Sequence, residues 1–78
     1  MPTVERWRGY RFCFYSHEPN EPPHVHADAR GSTAKFWLQP VSLARNIGFA
    51  PRELAELLAR VRQRHAAFLE AWHGHFGP

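Results

Sequence analysis

His24-Val25-His26-Ala27-Asp28-Ala29, Arg30-Gly31-Ser32, Ala34-Lys35-Phe36-Trp37-Leu38 is the stretch from which the fold is read. Two runs of alternating small or apolar and polar residues flank a Gly-bearing turn, the signature of a β-hairpin. Side chains alternate between faces along a strand, so Val25, Ala27, Ala34, Phe36 and Leu38 share one face, and His24, His26, Asp28, Lys35 and Trp37 share the other. Working toward the N-terminus, Ser16 to Pro23 carries three prolines, which lack an N–H and cannot continue a ladder. Before that loop, Tyr10-Arg11-Phe12-Cys13-Phe14-Tyr15 is aromatic enough for a strand, and Arg8-Gly9 turns it against Val4–Trp7 to make a first hairpin. Tyr10, Phe12 and Phe14 join the apolar face; Arg11, Cys13 and Tyr15 join the polar one. Beyond Leu38, Pro40 interrupts before a fifth strand over 41–46, and Gly48 closes the sheet.

From Pro51 the period changes. Leu54, Leu57, Leu58, Val61, His65, Phe68, Leu69, Trp72 and Phe76 fall within a stripe of about 120° at helical spacing, the width of a helix lying on a sheet. Pro51 suits the first helical position and Glu53 the first turn, although Ala50 is a poor N-cap; Gly74 or Gly77 ends the run. The chain is therefore expected to be one α+β domain over residues 1–78. Its five-stranded, mainly antiparallel sheet (residues 3–48) consists of two hairpins plus one strand, and a long C-terminal helix (51–76) packs on one face. A straight helix over 51–73 would be about 35 Å long against roughly 26 Å for a domain of this size. Either it bends or its end protrudes, and a protruding Trp72 and Phe76 would call for a second copy or another protein.

Composition narrows the function without naming it. Seventy-eight residues leave no room for a second domain, and 44% hydrophobic residues with eleven aromatics suit a globular core. No apolar run approaches the roughly 18 residues of a membrane span, and Met-Pro-Thr-Val-Glu-Arg lacks a signal-peptide core. With Cys13 the single cysteine, no internal disulfide forms, so a cytoplasmic location without membrane contact is expected. The net charge is +3, and nine of the ten cations are arginine. That balance permits an anionic partner such as RNA, since guanidinium pairs bidentately with phosphate, but does not demand one.

One helix covers one face, so the polar face is expected to be open. Arg11, Tyr15, His24, His26, Lys35 and Trp37, with His17 from the loop, are its candidate binding residues. His24 and His26, two apart on a strand, project the same way about 7 Å apart. They are candidate catalytic residues, a general acid and base for RNA cleavage beside Arg11 or Lys35. The same pair is a weak metal candidate, because zinc wants a third preorganised ligand; no metal and no cofactor is expected. The competing reading is structural, with imidazoles bonding across the sheet. His65 faces the core, His73 and His75 lie on different helix faces, and Arg60, Arg62 and Arg64 border the apolar stripe with stems that can cover it. Cys13 has no evident base beside it.

Gly-Tyr-Arg-Phe-Cys-Phe-Tyr-Ser, Glu-Pro-Pro-His-Val-His, Ala-Lys-Phe-Trp-Leu, Asn-Ile-Gly-Phe and the terminal Phe-Leu-Glu-Ala-Trp-His-Gly-His-Phe-Gly together resemble domain-of-unknown-function family 4160 over essentially the whole chain. The resemblance implies a small bacterial protein, a sheet followed by a long helix, and His24 and His26 as a signature pair; Asp28 is not part of that signature. It also implies a neighbouring gene for a short protein of family 2442, an arrangement like a toxin–antitoxin pair. The leading expectation is thus an interaction module that binds this partner protein, itself as a homodimer, or RNA. A small RNA-cleaving toxin and a His-based metal-binding module are the alternatives.

Overall fold

The computed structural model describes residues 3–15 and 20–77. Five strands form an antiparallel meander in the order β1-β2-β3-β4-β5: β1 (Thr3–Trp7), β2 (Tyr10–Cys13), β3 (His24–Ala29), β4 (Ser32–Leu38) and β5 (Val41–Ile47). Every neighbouring pair is antiparallel, and the hairpin read from residues 24–38 pairs His24 with Trp37, His26 with Lys35 and Asp28 with Thr33. Its turn, and that of the first hairpin, have positive φ at both central residues, Arg8 and Gly9 in one and Arg30 and Gly31 in the other. This backbone matches the strand twist and is normally built from Asn-Gly or Gly-Gly.

The apolar face is the core. Phe12, Phe14, Val25, Ala27, Ala34, Phe36 and Leu38 are buried beneath Leu57, Val61, Phe68 and Trp72. Phe12 meets Phe68 with ring centroids 5.3 Å apart, and Phe14 meets Trp72 edge-on at 5.4 Å. Asn46 closes the turn into the helical segment, its side chain donating to the Phe49 carbonyl and accepting from the Phe49 N–H. Gly48, at φ +99°, lies against Ser32 so closely that a Cβ there would run into the Ser32 hydroxyl.

The single long helix expected from periodicity is two helices, α1 (Pro51–Gln63) and α2 (His65–Phe76), broken at Arg64. No Pro or Gly marks the break. The physical reason is the mismatch between helix length and the sheet beneath it: the domain measures 33 × 22 × 20 Å, and the bend keeps the second half of the stripe on the core. Trp72 is therefore buried and Phe76 packs against the core cluster, with centroids 6.1 Å from Phe14. The helix end does not protrude, which removes the reason that had pointed to a second copy. Glu5 of β1 clamps the break, accepting from Arg60 Nε and Arg64 Nε at 2.8 Å each. Those two arginines thus bind the helices to the sheet. The break also leaves His65 half-buried at the first position of α2. The start of α1 is tied by Glu53, which accepts from the Tyr10 hydroxyl at 2.8 Å and from Arg30.

Candidate functional site: the polar face of the sheet

The face opposite the helices carries the residues that alternation assigned to it, but it is not open along its whole length. His24 is 0% exposed and His26 is 6% exposed, and Cys13 is buried. His24 begins β3, where the end of α2 brings the Trp72 ring to 4.9 Å from its own; Trp37 and His26 meet it edge-on at 5.8 and 5.2 Å. Its Nδ1 lies 2.8 Å from the carbonyl of Pro22. A carbonyl only accepts, so Nδ1 carries the proton, and the imidazole fastens the proline segment to the first residue of the strand. The Tyr15 ring stacks on His26, with centroids 3.7 Å apart and planes within 9°. The expectation of two solvent-facing imidazoles is corrected accordingly: the rings are packing elements, because Trp72 closes one from the strand end and Tyr15 covers the other.

Asp28 organises the centre of the face. Its carboxylate accepts from Thr33 Oγ1 at 2.6 Å, from the Tyr15 hydroxyl at 3.4 Å and from the Cys13 thiol at 3.6 Å, joining three strands through one side chain. Burial, then the neighbouring Asp28 charge, pushes the Cys13 thiol up to about 11, which leaves it protonated and inert at neutral pH. Burial also raises Tyr15 above the ordinary phenol value.

What remains accessible lies to either side of Asp28. A cleft of about 410 Å³ runs between β3, β4 and β5, lined by Tyr15, His26, Thr33, Ala34, Lys35, Trp37, Ala44, Arg45 and Ile47. A second, of about 460 Å³, lies at the turn end among Arg6, Arg11, Asp28, Arg30 and the two turn glycines. Lys35 pairs with Glu21 and holds its ammonium 4.6 Å from the centre of the Trp37 ring. Arg11 Nε donates to Thr3 Oγ1 at 2.8 Å. Of the sequence-derived candidates, the structure brings Tyr15, His26, Lys35 and Trp37 to one cleft and Arg11 to its neighbour; His24 lies beneath, and His17 is outside the described residues.

Arg45, Thr33 and Ile47 were missed as members of this face. Strict alternation from Val41 would put residues 41, 43, 45 and 47 together, but a bulge sets Leu43 opposite Phe36 and Arg45 opposite Lys35. Val41 and Leu43 therefore stay on the helix side, while Arg45 and Ile47 cross to the polar side. Among the described residues no group of three His, Cys, Asp or Glu side chains is placed to hold a metal ion, and no helix is long and apolar enough to cross a membrane.

These features define a class: a small α+β domain whose antiparallel meander is backed by two helices on one side and presents cations and aromatic rings on the other. Within that class, the chain belongs to the family described as Domain of unknown function (DUF4160), which it matches over residues 9–73, from the first turn to α2. Comparison with curated proteins and with solved structures gives no match.

Proposed function

We propose that the domain is a protein-interaction module, and that its partner adds a strand to the edge of the sheet at β5. The observation that carries this reading is the character of that edge. β5 is a seven-residue terminal strand of the sheet, and Leu43 and Ile47, exposed by 43% and 48%, lie on its two opposite faces. Arg45 is the single charged residue in the strand. A long apolar edge is a template for strand addition unless it is blunted, and the main-chain bonds of such a pairing supply affinity while alternate side chains supply selectivity. The other edge differs: β1 has five residues, among them Glu5 and Arg6. Enclosure of His24, with its Nδ1 held by a carbonyl, gives little support to an acid–base pair, so binding is preferred to RNA cleavage.

The partner is the short family 2442 protein implied by the resemblance, in a cytoplasmic two-gene module like a toxin–antitoxin pair. The test is co-expression of the two chains, followed by light scattering and titration calorimetry. A stable complex is expected, weakened at least tenfold by Leu43→Lys with Ile47→Lys. Failure of the two chains to associate, or binding unchanged in that variant, would refute the reading. A β5-paired homodimer in place of the complex would transfer the edge to a second copy.

A further inference from the structure

We propose that the two adjoining clefts on the polar face form one trough that binds a single-stranded polynucleotide. This goes beyond strand addition at β5 and does not depend on it. Tyr15 and Thr33 line both clefts, so the hollow is continuous from the turn end to β5. Crossing five strands at about 4.8 Å spacing, it is roughly 19 Å long. Five cations, Arg6, Arg11, Arg30, Lys35 and Arg45, stand along it; Arg30 pairs with Glu53 and Lys35 with Glu21, and among the described residues Asp28 is the one carboxylate in its lining. Asp28 is already occupied by three donors from the protein. Arg6 and Arg45 are exposed, and no described acidic side chain pairs with either. On the helix side Arg60 and Arg64 share Glu5, and Arg52 and Arg62 are exposed as well, so what sets the trough apart is the company its cations keep with planar rings.

Planar groups lie between the cations. The Tyr15–His26 stack and the half-buried Trp37 indole flank Lys35, an alternation of ring and cation that suits bases and the phosphates joining them. A duplex buries its base faces, so it would meet only the charges.

The experiment is fluorescence anisotropy on the isolated, metal-free chain, with labelled oligouridylate and oligothymidylate of about twelve residues and a duplex of the same length as probes. Two double variants remove the same charge from different places: Arg6→Ser with Arg45→Ser in the trough, and Arg52→Ser with Arg62→Ser on the exposed helix layer. Micromolar binding of at least one single strand is expected. The trough pair should weaken it tenfold or more and reduce the slope of log affinity against log salt by about 1.4, from ~0.7 per lost phosphate contact. The helix pair should change affinity less than twofold. Thermal melts establish that each variant is folded; if the trough pair is not, Arg45→Ser alone carries the comparison. No single-strand binding below about 100 µM, equal losses in the two pairs, or duplex bound as tightly as single strand would overturn the proposal.

Discussion

His24→Ala tests whether the signature histidine is a packing element or a reagent. The ring is fully enclosed, with Trp37, Trp72 and His26 around it, and its Nδ1–H donates to the Pro22 carbonyl at 2.8 Å. Truncation removes that hydrogen bond, worth about 1 kcal/mol net, and leaves a cavity where a five-membered ring was, worth about 2 kcal/mol by analogy with large-to-small core changes. The expected loss is about 3 kcal/mol, which for a domain of this size corresponds to a fall of roughly 12–24 °C in Tm. Urea unfolding followed by tryptophan fluorescence is the assay, because Trp37 and Trp72 flank the cavity and report its collapse directly. His73→Ala, at an exposed position of α2, is the control and should change stability by less than about 0.5 kcal/mol. A loss below about 1 kcal/mol for His24→Ala, or equal losses in the two variants, would refute the packing argument. So would abolition of an RNA-cleaving activity with stability intact, which would reinstate the imidazole as a reagent.

Cys13 should resist thiol reagents: with its thiol pushed up to about 11, about one molecule in a thousand is ionised at pH 8, so Ellman's reagent should react only on adding denaturant, and rapid stoichiometric labelling of the folded chain would contradict this. Glu53 is held below the ordinary carboxylate value first by the Tyr10 hydroxyl, then by the Ala50 N–H and Arg30, so its contribution is present above the unfolded value of about 4.3 and lost as pH falls through the folded one. Wild type should therefore exceed Glu53→Gln in stability at pH 7 and converge with it toward pH 3, and parallel stability curves would exclude the linkage. Glu5→Ala should cost about 1 kcal/mol through its bonds to Arg60 and Arg64, less in high salt, and a double-mutant cycle with Arg60→Ala should show coupling.

The chain itself determined the sheet. Alternation over residues 10–15 and 24–38, punctuated by Arg-Gly turns and a proline-rich loop, leaves one arrangement in which all large apolar side chains share a face, and a one-residue slip would expose Phe12, Val25 and Phe36 together. The helical stripe was equally legible, since its period cannot be mistaken for a strand. The tertiary structure decided three things that local pattern does not encode. The helix breaks at Arg64 because the sheet beneath it is too short, a property of the assembled layers and not of residues 60–68, and Glu5, some sixty positions away, holds the break. Arg45 and Ile47 join the polar face because a bulge opposite Lys35 and Phe36 reverses the phase of β5, and a bulge is set by pairing between strands. His24 and His26 lie on the face that alternation gave them yet are closed to solvent, because face follows from a period of two whereas burial depends on what other elements lay across that face, here Trp72 from α2 and the Tyr15 ring.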